Sequence, residues 1–159
     1  MSIIETTMEV PASHAGNLFG KLDAHVKILE KHLGVTLVFR DGTLKIVGNG
    51  SHVTRAEKII GNLLELSKRG NQITEQEVNY AIALSYEDKE NAMVEIDKDL
   101  ICHTIFGKPV KPKTLGQKQY VDAIRNKMIV FGTGPAGTGK TYLAMAMAID
   151  AFKKEEVGR

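Results

Sequence analysis

The chain has 159 residues, 43% of them hydrophobic and 25% charged, a balance that fits a globular protein and excludes a disordered or fibrous one. A single cysteine, Cys102, excludes an intrachain disulfide framework and a cysteine-based zinc site. The net charge of +2 hides a segregation: residues 1–70 hold nine Lys/Arg against seven Asp/Glu, residues 71–107 two against eight, and residues 108–159 ten against four, so a basic final third suits an anionic ligand.

Residues 3–10 read as a strand, and Pro11, Ala12 and Ser13 as a break and N-cap before a short helix ending at Gly20. Leu22, Val26, Leu29 and Leu33 recur at helical spacing, with Gly34 at the C-cap position. Two β-rich runs, residues 35–39 and 43–47, flank Asp41-Gly42, a strong hairpin signal. Ser51 then reads as the N-cap of a helix carrying Val53, Ala56, Ile60, Leu63 and Leu64 on one stripe, closed by Gly70. Thr74 and Glu77 have capping-box spacing before a further short helix. Residues 87–99 form an acidic stretch that reads as an exposed connection.

The two prolines of Lys108-Pro109-Val110-Lys111-Pro112-Lys113 exclude a regular helix and imply an arm. Thr114 caps a predicted helix over residues 115–126, and the apolar run Met128-Ile129-Val130-Phe131 has the length of a strand buried on both faces. Directly after it stands Gly134-Pro135-Ala136-Gly137-Thr138-Gly139-Lys140-Thr141, a complete P-loop. Phosphate needs several converging N–H donors, and glycine at 134, 137 and 139 lets the backbone come close. Lys140 reaches the β- and γ-phosphates, the Thr141 hydroxyl is the candidate Mg²⁺ ligand, and the following helix adds its positive N-terminal end.

Hydrolysis further needs a metal-holding carboxylate, a group that positions water and often an arginine. Beyond the loop only Asp150, Glu155, Glu156 and Arg159 offer themselves, and they read as solvated helix-end residues. A parallel sheet cannot consist of one strand, so the expectation is a functional protein extending well past residue 159. The five histidines lack ligand spacing: His25 and His32 lie seven apart, and His14, His52 and His103 are scattered. Cys102 has no adjacent base and reads as a small packing residue. The apolar helical stretch after the loop falls short of the roughly 20 residues that cross a bilayer, and the sequence opens with no charged-then-apolar leader. A cytoplasmic protein with no membrane partner is expected.

Residues 132–144, with Lys111-Pro112-Lys113-Thr114-Leu115-Gly116-Gln117-Lys118-Gln119-Tyr120 before them, resemble the PhoH-like proteins, the phosphate-starvation-inducible ATPase family. The resemblance extends over the whole chain. It implies an ATP-binding P-loop core related to superfamily 1 helicases, with Mg²⁺ as cofactor, a chain about twice this length and a link to RNA metabolism. It also implies that Gln117, upstream of the loop, recognises adenine, and that homo-oligomeric assembly supplies an arginine from a neighbour. The family's Walker B acid and downstream arginine have no counterpart here, so catalytic residues are not assigned.

Residues 1–70, in the order β-α-α-β-β-α, resemble a KH domain, whose Gly-x-x-Gly loop clamps nucleic-acid backbone. Here the loop reads Gly20-Lys21-Leu22-Asp23, so Gly20 and Lys21 are the candidate RNA contacts, and Asp23 replaces the second glycine. The expected architecture is therefore an α+β KH-like domain over residues 1–70, a helix and acidic connection over 71–107, and the beginning of an α/β P-loop NTPase domain over 108–159. An RNA-binding module with an inert P-loop is the alternative to an ATP-binding one.

Overall fold

The computed structural model describes residues 3–87, 89 and 91–158. The protein is mixed α/β and divides into two compact units between Asn91 and Ala92.

The first unit runs β1 (Ile3–Glu9), α1 (Ala12–Phe19), a 3-10 turn (Lys21–Asp23), α2 (Ala24–Leu33), β2 (Val35–Arg40), β3 (Thr43–Asn49), α3 (Gly50–Lys68) and α4 (Glu75–Tyr86). Its antiparallel sheet has the order β1-β3-β2. Asp41 and Gly42 both take positive φ, +50° and +79°, as a hairpin turn matched to strand twist requires. With Leu37 set opposite Ile46, alternation turns Leu44 and Ile46 into the core, and Lys45 faces outwards to pair with Glu5 at 2.7 Å. On α3 the buried Val53, Ala56, Ile60, Leu63 and Ser67 recur every three or four residues and form the stripe that covers the core.

Two caps lie elsewhere than expected. Ser13 and Ser51 both fall inside helices, because α1 starts straight after Pro11 and α3 straight after Asn49. Pro11 already holds the extended φ of −57° and ψ of 137° that an N-cap needs, and its carbonyl accepts from His14 N at 2.9 Å. Asn49 pairs with Ile3, so the ladder keeps the chain extended to that residue and the helix follows at once. The expected capping box does form: Thr74 N donates to the Glu77 carboxylate at 3.0 Å. The first unit continues to Asn91 because α4 buries Val78, Ala81, Ile82 and Leu84. Asn17 holds the approach to α4, donating to Ser67 Oγ and Asn71 O, each at 2.8 Å, and accepting from Ile73 N at 2.9 Å.

The second unit comprises α5 (Ala92–Asp97), β4 (Cys102–His103), β5 (Pro109–Val110), α6 (Leu115–Asn126) and α7 (Lys140–Lys153). The acidic stretch is thus not simply a connection: Met93, Val94 and Ile96 bury and make a short helix of it. Asp88 and Glu90 of that stretch lie outside the described residues. The proline arm closes a two-residue antiparallel pairing, Cys102 opposite Val110 and His103 opposite Pro109. Residues 128–131 form no strand, and Met128 and Phe131 are 100% and 88% exposed. A strand exists only through lateral partners, and neither sheet extends to this run among the described residues.

An ionic brace holds α6 to the chain before it. Asp99 lies 2.7 Å from Arg125 Nη2 and 2.9 Å from Lys118 Nζ, and Asp97 lies 2.8 Å from Lys111 Nζ. Burial by itself would push the Asp99 carboxyl up, but the hydrogen bonds and charges of Arg125 and Lys118 outweigh it and hold it below the ordinary 3.8.

Two stability predictions follow from this packing. Leu63→Ala, at a fully buried position, is expected to cost about 2–5 kcal/mol, read as a lowered urea midpoint by far-UV circular dichroism, whereas Thr36→Ala on the outer sheet face stays within about 0.5 kcal/mol. A depressed carboxylate stabilises the fold above its unfolded-state value and loses that contribution as pH falls through the lower folded value. Asp99→Asn is therefore expected to lower the thermal midpoint at pH 7, by the equivalent of about 1–3 kcal/mol, and to flatten its decline below about pH 4. An unaltered acid limb in the variant would refute the brace.

Candidate functional site

The loop over residues 134–139 owes its shape to glycine. Gly134, Gly137 and Gly139 take φ of +145°, +77° and +80°, and Gly139 is the left-handed residue from which α7 starts. Its carbonyl accepts the first helical bond from Leu143 N at 2.9 Å. The helix is aimed by its buried stripe: Leu143, Ala146 and Met147 form one cluster with Val121 of α6, Ile101 and Val110, with Tyr120, Ile124 and Cys102 packed at the edge. The five residues 134–138 are all exposed, as is Thr141 one position inside the helix.

Lys140 is folded over the loop. Its ammonium donates to Gly134 O at 2.9 Å, Pro135 O at 2.6 Å and Thr138 Oγ1 at 3.1 Å, and the Thr138 hydroxyl donates to Pro135 O at 3.0 Å. Gln117 stands against the same loop from α6. Its backbone N–H is capped by Thr114 Oγ1 at 3.2 Å, its Oε1 accepts from Lys113 N at 2.7 Å, and its Nε2 donates to Thr138 O at 3.1 Å. A Cβ on Gly139 would lie 3.3 Å from Gln117 Nε2, and one on Gly132 would lie 3.0 Å from the Tyr120 ring. The fold therefore brings Gln117 and the loop together, with a helix N-terminus, glycine backbone and a lysine converging on one exposed face. Such a set offers positive potential and N–H donors to an anion.

Gly20 and Lys21 lie in the first unit, on the turn between α1 and α2. Gly20 has φ of +75°, and a Cβ there would meet the His25 ring at 2.9 Å, a ring held by its Nδ1 contact with Leu18 O at 3.0 Å. Leu22 and Asp23 follow with φ of +53° and +57°. Two successive non-glycine residues in this conformation store local strain, and they leave Leu22 90% exposed beside an exposed Lys21.

The other sequence candidates do not converge. Asp150 pairs with Lys154 one helical turn away at 2.6 Å, and Arg159 lies outside the described residues. Among the described residues no three His, Cys, Asp or Glu are grouped to hold a metal ion, and no helix is long and apolar enough to cross a membrane. Missing from the sequence reading were the Lys113 amide and Thr138 carbonyl that flank Gln117, and the aspartates that brace α6. Backbone partners leave no trace in residue identity. For the aspartates the only local signal was Lys118 four residues before Asp122, a pair that does form at 2.6 Å.

Residues 109–159, which carry the arm, α6, the loop and α7, match the family described as PhoH-like protein. The chain is 38% identical over 157 residues to the PhoH-like protein of Mycobacterium leprae (strain TN), covering 98% of this chain and 44% of that protein. It is 36% identical over 141 residues to the PhoH-like protein of Bacillus subtilis (strain 168), covering 89% and 44%. With the PhoH-like protein of Synechocystis sp. (strain ATCC 27184 / PCC 6803 / Kazusa) the identity is 29% over 160 residues, covering 100% and 49%. No solved structure matches the chain. The chain belongs with the PhoH-like proteins, and it spans less than half the length of these relatives.

Proposed function

We propose that residues 134–141 bind the triphosphate of ATP together with Mg²⁺. The observation that carries this reading is the glycine loop ending on the N-terminus of a docked 14-residue helix with Lys140 folded against it. The donor chemistry fits the ligand: backbone N–H groups and the helix end favour negative charge, and the ammonium is a mobile point charge. On binding, Lys140 exchanges its carbonyl partners for phosphate oxygens, and Thr141 is the residue that would hold the metal. Bound Mg²⁺ supplies neutralisation of the β- and γ-phosphate charge. We read the activity of this chain as nucleotide binding in a cytoplasmic protein, and its place as part of a longer PhoH-like ATPase connected with RNA metabolism.

The first unit supports a second, compatible reading as a KH-like RNA-binding module. Its strand order β1-β3-β2 and its α1–α2 turn match that order of elements, and the left-handed backbone at Asp23 is the conformation a second glycine would supply. Lys21 would then contact phosphate.

Isothermal titration with Mg·ATP tests the first reading: Lys140→Ala is expected to weaken binding at least tenfold, about 1.4 kcal/mol, with an unchanged circular dichroism spectrum. Absence of binding by the unaltered chain would sink it. For the second, anisotropy titration of a single-stranded RNA should show Lys21→Ala reducing the salt dependence by about one phosphate contact, and an unchanged slope refutes a clamp at this turn.

A further inference from the structure

We infer that Gln117 is a positioning residue for the phosphate loop and not the reader of the base; this rests on the nucleotide-binding reading above. Its amide is oriented without ambiguity, because the oxygen faces a donor, Lys113 N, and the nitrogen faces an acceptor, Thr138 O. Both ends of the side chain are thus engaged by main chain on two different segments, the proline arm and the loop. Reading a purine edge with two hydrogen bonds requires the oxygen and nitrogen to face the same base together.

What the contact with Thr138 controls is the plane of the peptide joining Thr138 to Gly139. In a trans peptide the C=O and the following N–H point in opposite directions. Holding the Thr138 carbonyl towards α6 therefore turns the Gly139 N–H away from Gln117, and that N–H is one of the donors at the root of the loop. The same contact keeps a carbonyl oxygen occupied that would otherwise be free to turn towards a bound anion. Gly139 fits the role from its own side, since its φ of +80° disfavours any side chain and a Cβ would crowd Gln117 Nε2 at 3.3 Å. Thr114 fixes the base of Gln117 by capping its N–H. The chain of contacts therefore runs arm, Gln117, loop, and the residue acts on the phosphates through the loop backbone.

A positioning role and a base-reading role separate on ligands that differ only in the base. The unaltered chain, Gln117→Ala and Gln117→Glu are titrated with Mg·ATP, Mg·GTP and Mg·tripolyphosphate, which has no base. Gln117→Ala is expected to weaken all three by a common factor of about three to ten, with the ATP-to-GTP ratio unchanged and the thermal midpoint of the protein preserved. Gln117→Glu keeps the oxygen that accepts from Lys113 but at neutral pH turns a carboxylate towards Thr138 O. Its deficit relative to the unaltered chain should shrink as the pH is lowered from 7 to 5, since a protonated carboxyl donates where the amide did. A loss confined to ATP, or a shifted ATP-to-GTP ratio, would overturn the inference in favour of base reading. Wild-type affinity in both variants would overturn it outright. If the unaltered chain takes none of the three ligands, nucleotide binding itself falls and the inference with it, an outcome distinct from any difference between variants.

Discussion

The geometry of the phosphate loop depends on one packed contact, the burial of Val121 of α6 against Leu143, Ala146 and Met147 of α7. A helix end attracts an anion only if the helix is held in place, and an isolated 14-residue helix is marginal in water. Each apolar side chain buried in this cluster contributes about 1.5–3 kcal/mol, enough between them to fix the helix axis. The same contact sets the spacing between α6 and the loop, so Gln117 reaches Thr138 because Val121, one turn further along α6, is buried. The stripe is narrow. Tyr142, Met145, Ile149 and Phe152 stand on the opposite side of α7 and are exposed, so this unit covers one face of the helix.

Charge acts on the same arrangement in a way that a net count conceals. The acidic middle and basic final third of the sequence partly cancel inside the second unit, where Asp97 and Asp99 engage Lys111, Lys118 and Arg125. Three of the cations that made the final third look ready for a ligand thus serve to hold α6. Lys140, meanwhile, rests on loop carbonyls. The potential at the loop comes from its local donors and the helix end more than from the surplus of basic residues.

How much of this could be read from the residues follows from how local each interaction is. The Asp41-Gly42 hairpin, the Thr74 capping box, the Thr114 cap and the glycine loop each involve a handful of consecutive residues, and each forms as expected. The order of elements in the first unit was legible for the same reason, since each helix stripe and strand alternation is a local periodicity. Interactions between distant residues were not legible. Residues 128–131 have the composition of a buried strand, but pairing is a property of neighbours and the run is exposed. The helix α5 was hidden by its acidic surroundings, and its three buried residues declare themselves only against a packed surface. Ser13 and Ser51 had the right chemistry for caps and lost to Pro11 and Asn49, whose backbone was already extended by a ring and by a strand partner.

The loop is also unequally supported at its two ends. On its C-terminal side it passes straight into α7, anchored by a buried cluster; on its N-terminal side residues 127–133 have no helix or strand, and a close approach of Gly132 to the Tyr120 ring is the tightest glycine contact there. Mechanically this is a cantilever, clamped at one end and compliant at the other. Displacement imposed by an arriving polyphosphate should then be taken up upstream of Gly134, leaving the pitch and direction of α7 untouched. The stiff end carries the electrostatics, and the soft end absorbs differences in ligand size.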